Sequence, residues 1–146
     1  MNKENTLKLY TDFPMLYRQH SLSPQETIMC FGFEHGDGWF SLVYNLSKKL
    51  MEIDQNIQAV QVKEKFGSLR FYVGSVRQEV ADQVYTAISE AEEISSKTCE
   101  QCGKSGKPNK SGWIHTLCTA CRKTRTRDKG SYLEDLKDKD KGLKNE

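Results

Sequence analysis

The sequence predicts an α+β fold, a hairpin-centred antiparallel sheet with two principal helices, extended by a small module that cysteines hold together. Three observations carry this reading. Apolar residues recur at helical spacing over 39–53 and 76–94, and two short alternating runs meet at Phe66-Gly67. Two Cys-x-x-Cys pairs then follow, at Cys99/Cys102 and Cys118/Cys121.

Residues 1–26 mix Leu7, Leu9, Tyr10, Phe13, Leu16 and Tyr17 with Pro14 and Pro24. The prolines bar one unbroken helix, so a short amphipathic segment followed by an irregular one is expected. The apolar run Ile28 to Phe33 reads as a buried strand. From Asp37, taken as an N-cap, the face formed by Trp39, Leu42, Val43, Leu46, Leu50 and Ile53 marks the first principal helix.

Val60 and Val62 alternate with Gln61 and Lys63, and Leu69, Phe71 and Val73 alternate with Arg70 and Tyr72. A tight turn at Phe66-Gly67 joins them into a β-hairpin. Ser75 and Gln78 form a capping-box pair for the second helix, whose stripe Val76, Val80, Val84, Ala87, Ile88, Ala91 and Ile94 is expected to pack over the hairpin. That helix leads straight into Cys99 without a Gly/Ser linker, so the organisation expected is a 1–98 body with the 99–121 module docked on it. Residues 122–146 form a charged tail, partly helical or disordered, in which Tyr132, Leu133 and Leu136 share one face.

The formal net charge of +2 is unevenly spread. Residues 1–98 carry 10 Lys or Arg against 13 Asp or Glu, whereas 104–129 carry eight basic residues against Asp128 alone. This is a basic patch on an otherwise acidic chain. Apolar runs are too short to span a bilayer, and the first ten residues lack the apolar core of a secretory signal, so no membrane partner and a cytoplasmic location are expected.

In a reducing compartment five cysteines point to metal rather than disulfides. The spacing Cys99-x2-Cys102, fifteen residues, Cys118-x2-Cys121 supplies the four sulfurs of a tetrahedral Zn2+ site, in a zinc-ribbon or treble-clef-like module. Four cysteines leave no open position, so the zinc is expected to be structural. His115 in place of one cysteine, and an iron–sulfur cluster, are the competing readings; Cys30 reads as a buried core thiol.

Other constellations are candidates for binding. The hairpin register sets Lys63 against Arg70 and Gln61 against Tyr72, with Lys65 on the same face. Facing cations call for a negative counterpart, either an internal carboxylate such as Glu34, Asp37 or Glu64, or an external anion or acidic partner. The loop carrying Glu34, His35 and Asp37 offers acid–base groups at a helix start, though its glycines and aromatics suit a structural turn better. Arg122, Lys123, Arg125 and Arg127 are candidate nucleic-acid contacts, with Trp113 or His115 available to stack on a base.

Three blocks, IMCFGFEHGDGWF at 28–40, IQAVQVKEKFGSLRFYV at 57–73 and CEQCG with GWIHTLCTAC at 99–121, together resemble a family of small uncharacterised proteins of bacterial and bacteriophage genomes. The resemblance implies a phage or mobile-element setting. The function expected is an accessory adaptor or inhibitor, acting on host machinery or counter to host defence, that engages a host protein or nucleic acid. An enzyme is the less favoured class. The alternative is a nucleotide-binding or nucleotide-processing protein using the 34–37 loop and the basic hairpin face.

Overall fold

The computed structural model describes residues 1–125. Arg127 and the predicted helix around Tyr132, Leu133 and Leu136 lie outside the described residues.

The chain opens with α1 (Lys3–Asp12), capped by Asn2, whose side chain accepts the Asn5 N–H at 2.8 Å. Pro14 follows the helix end, and the chain then runs irregularly, burying Leu16 and Tyr17. The Tyr17 hydroxyl donates to Ser47 Oγ at 2.6 Å, because the Ser47 proton is already given to Val43 O. That pairing satisfies both polar groups inside the core.

The run from Ile28 is not a buried strand. Residues Met29–Phe31 form a 3-10 turn closed by Gly32 N–H to Met29 O at 2.9 Å, and only Met29 is buried while Ile28 and Phe31 stand 49% and 63% exposed. Gly32, at φ 73°, turns the chain into the short strand β1 (Phe33–Glu34). An unbroken apolar run carries no period, so composition alone could not separate turn from strand.

Helix α2 (Phe40–Ile53) is entered through a 3-10 turn, Asp37–Trp39, and buries Val43, Leu46 and Leu50 behind Trp39. Asp37 does not cap it. Its Oδ1 accepts from Asn2 N–H at 2.7 Å and Asn5 Nδ2 at 3.2 Å, fastening α1 instead. Strands β2 (Ala59–Lys65) and β3 (Ser68–Val73) form the hairpin in the expected register, Lys63 opposite Arg70 and Gln61 opposite Tyr72. Its turn holds Phe66 at φ 54° and Gly67 at φ 81°, the left-handed pair of a type I′ turn.

Strand β1 lies parallel to β2, Phe33 beside Val62 and Glu34 beside Lys63, so the sheet is mixed, ordered β1-β2-β3, with α2 as the crossover. Helix α3 (Gln78–Ser95) covers the sheet with Val84, Ala87, Ile88 and Ala91. Arg77 occupies its N-cap without a side-chain capping bond, its Nε donating instead to Asp54 Oδ2 at 2.9 Å, so the Ser75–Gln78 capping box does not form. At its end the stripe moves by one residue: Ser95 is buried and Ile94 is 53% exposed. Ser95 Oγ accepts the Leu69 N–H at 2.8 Å, and Glu92 Oε1 accepts the Phe71 N–H at 3.3 Å.

One core joins these elements, with Leu9, Tyr17, Met29, Trp39, Leu50 and Val62 among its fully buried side chains. Each such aliphatic residue contributes about 1.5–3 kcal/mol relative to exposure. Trp39 also reaches out of the core: its Nε1 donates to Thr98 O at 2.9 Å, on the threshold of the cysteine module.

Candidate metal centre

After α3 the chain makes a tight turn. Cys99 N–H donates to Lys104 O at 2.7 Å, Gly103 N–H donates to Cys99 O at 2.9 Å, and Gly103 takes φ 81°, a conformation that favours glycine. Strands β4 (Lys107–Pro108) and β5 (Thr116–Leu117) then pair antiparallel, and Cys118 precedes a helical segment at 119–125 that contains Cys121. A knuckle, a short hairpin and a helix, with Cys118 just before the helix and Cys121 within it, follow a treble-clef-like order rather than that of a ribbon.

The four Sγ atoms of Cys99, Cys102, Cys118 and Cys121 all lie within 4.8 Å of one another. Cys102 and Cys118 stand 3.6 Å apart, S to S. Sulfurs at the corners of a tetrahedron around an ion about 2.3 Å away would be about 3.8 Å apart, so the spacing fits a metal ion. Burial raises the Cys99 pKa, but the N–H groups of Cys118, Cys102 and Gln101 outweigh it and bring the thiol down to about 6. Cys118 is also lowered, chiefly by the Cys121 N–H, while the Cys118 side chain pushes Cys121 up to about 12. Backbone amides thus favour the first thiolates, and the negative charge they gather resists further ionisation until a cation cancels it.

The module is seated on the loop 36–38. Gly38 N–H donates to Glu100 O at 2.7 Å, and Gly36 N–H donates to Glu100 Oε1 at 2.9 Å. A Cβ at Gly36 would stand 2.4 Å from Glu100 O, which only glycine avoids. At the hairpin tip Thr116 Oγ1 donates to Gly67 O at 2.5 Å.

Two of the three candidate loop residues are engaged within the fold. Glu34 is exposed on β1, Asp37 holds α1, and His35 is buried between the Phe33 and Trp39 rings. The His35 Nδ1–H donates to Gly36 O at 2.8 Å, and Nε2 is buried with no hydrogen-bond partner among the described residues. Burial lowers its pKa to about 4, keeping the ring neutral.

On the basic hairpin face Arg70 has an internal negative counterpart. It is Glu92 of α3, with Oε2 3.7 Å from Arg70 Nη1. Of the carboxylates that sequence suggested, Glu64 accepts the Gly67 N–H at 2.8 Å and Asp37 is engaged with α1. Glu92 was hidden because helix phase relative to a strand is set by packing, which sequence spacing does not encode. Tyr72 is 42% exposed, and Lys65 Nζ lies 5.5 Å above the ring of Phe66, itself 70% exposed.

Arg122 is tied inward, its Nη2 donating to Lys107 O and, at 3.4 Å, to Leu117 O; Lys123 is exposed. Arg125 Nη2 lies 3.0 Å from His115 Nε2. His115 stands apart from the sulfur set: its ring stacks on that of Trp113, 6.2 Å away and 73% exposed, and it lies with Glu64 and Glu100, the ligand atoms of all three within 4.8 Å of one another. That last grouping had no sequence signal, since its members are 36 and 15 residues apart and none belongs to a recognised spacing.

No helix among the described residues is long and apolar enough to cross a membrane. Compared with protein-family models, with curated proteins and with solved structures, the chain finds no match.

Proposed function

We propose that the chain is an accessory binding protein of a phage or mobile element, in which four cysteines hold one structural zinc ion and the hairpin tip and module together grip single-stranded nucleic acid. Four thiolates at tetrahedral spacing suit zinc, which fills its coordination shell with them and leaves no position for substrate. The role of that zinc is to fold a module poor in apolar residues.

The observation that carries the binding reading is Phe66. A type I′ turn favours Asn or Gly at its first position, yet this chain places a phenylalanine there at φ 54° and leaves it 70% exposed. A local rule broken without a packing gain marks a functional position. Trp113 is a second exposed aromatic, in the segment next to Ile114, which packs on Gly67 of the same turn. Lys65, next to Phe66 in the chain, adds an exposed cation. Aromatic platforms beside cations are the means by which proteins hold unpaired bases, each stacked base contributing about 1–3 kcal/mol.

The test is a titration with single-stranded DNA and RNA oligonucleotides at low salt, read by tryptophan emission. Trp39 is fully buried, so quenching reports on Trp113. Binding that weakens with salt and falls about tenfold in Trp113→Ala is expected. No binding to either polymer at low salt would remove nucleic acid. The same exposed aromatics would then be the anchors for a host protein, since large aromatics dominate protein interfaces as well.

A further inference from the structure

Where the hairpin meets the module, Glu64 of β2, Glu100 of the knuckle and His115 of the segment before β5 come together, all half-buried, with ligand atoms within 4.8 Å of one another. We propose that these three side chains form a second divalent-cation site, distinct from the four cysteines and able to take a metal of the manganese, cobalt or zinc kind. The proposal is independent of the nucleic-acid reading.

Each ligand is positioned by the fold. Glu64 Oε1 accepts the Gly67 N–H at 2.8 Å and Glu100 Oε1 accepts the Gly36 N–H at 2.9 Å, so each carboxylate spends one oxygen on an amide and retains the other for a metal. His115 is held by its N–H to Asn109 Oδ1 at 2.7 Å and by the stack with Trp113. Two carboxylates with one imidazole form a harder donor set than four thiolates, suited also to manganese, which the cysteine site does not select. Three protein ligands also leave positions for water, unlike the closed sulfur shell.

Charge points the same way. Two carboxylates brought together away from bulk water need a cation. In this structure Arg125 lies close enough to act on Glu100 through its charge, and its Nη2 is 3.0 Å from His115 Nε2. A guanidinium only donates hydrogen bonds, so Nε2 accepts there and its lone pair is occupied. A divalent ion matches the two carboxylates more completely than one guanidinium, and its binding displaces Arg125. Arg125 is therefore a competitor for the site, and its removal should tighten metal binding. Because Glu64 belongs to the hairpin while Glu100 and His115 belong to the module, an ion there fastens one to the other.

The experiment uses the full chain with its cysteines already loaded with zinc, so that added Mn2+ reports on the oxygen and nitrogen ligands alone. Electron paramagnetic resonance is expected to show one bound Mn2+ per chain, with a rise in thermal midpoint. Glu64→Gln and Glu100→Gln should each weaken binding at least tenfold, and Arg125→Gln should strengthen it. If one acidic variant does not fold, judged by circular dichroism and zinc retention, the other carries the comparison. Failure of the wild type to bind either Mn2+ or a second equivalent of Zn2+ would overturn the proposal. So would binding that both glutamine variants leave unchanged.

Discussion

Gly38 faces the main-chain carbonyl of Cys99 so closely that a Cβ built on it would stand 2.1 Å from the oxygen. The neighbouring backbone of Glu100 lies within 2.6 Å of the same point, and backbone cannot step aside as a side-chain tip can. Gly38→Ala is therefore expected to destabilise by about 1–3 kcal/mol or more and to make zinc easier to strip with a chelator. Gly74→Ala, where the nearest atom is 3.8 Å away, is the matched control. Thermal melts and timed zinc release on both variants check this, and equal behaviour would show that the seat on loop 36–38 is not tight.

Zinc content should be one tightly held ion per chain before any metal is added. Cys102→Ser should lose it and loosen the 99–121 segment, whereas Cys30→Ser should keep it, because the Cys30 thiol is outside the cluster and donates to Thr27 O at 3.4 Å. Elemental analysis decides between them.

Arg70 and Glu92 are both partly exposed, so Arg70→Ala should cost about 0.5 kcal/mol or less. Glu92→Ala should cost more, about 1–2 kcal/mol, because it also deprives the Phe71 N–H of its acceptor. A double-mutant cycle by chemical denaturation should return a coupling of a few tenths of a kcal/mol, on the order measured for exposed ion pairs. A larger loss from Arg70→Ala than from Glu92→Ala would reverse this assignment.

His35 links stability to pH. Its folded pKa of about 4 lies below the ordinary value of 6.5, so the unfolded chain takes up this proton first. The contribution is fully present above about pH 6.5 and is lost as pH falls from there toward 4, on the order of 3 kcal/mol in all. His35→Asn, whose amide can replace Nδ1, should flatten that part of the stability profile. A wild-type slope that survives the substitution would assign the effect to other groups.

Phe66→Asn should stabilise the free protein by about 0.5–1 kcal/mol, since asparagine accepts the left-handed backbone more readily, while weakening oligonucleotide binding. Paired melts and titrations test both halves. Loss of stability would mean that Phe66 makes a packing contribution larger than its backbone strain.

The hairpin was legible in the sequence down to its register, because strict alternation and a two-residue turn leave little freedom. Trp39, Val43, Leu46 and Leu50 were legible for a similar reason, a period that one helix face satisfies. The gathering of the four cysteines was legible because a metal site dictates their spacing. What failed were ends and partners. Asp37 and Ser75 have the right chemistry to cap helices, but α1 claims Asp37 and α3 begins without a side-chain cap. The parallel pairing of β1 was invisible too, since two residues carry no period. Glu92 and the grouping of Glu64, Glu100 and His115 arise only when separate elements meet, and a single chain written in order does not show such meetings.

The side chains of Ser95 and Glu92, lying along β3, have a consequence for how the protein meets others. They occupy the outward N–H groups of Leu69 and Phe71, the donors that a strand from another molecule would otherwise use as a template. On the opposite side β1 is only two residues long, too short to seed a ladder. Strand addition is thereby opposed along β3, which guards that margin against edge-to-edge polymerisation. A partner that meets the β3 edge is left with projecting side chains to recognise rather than these backbone donors.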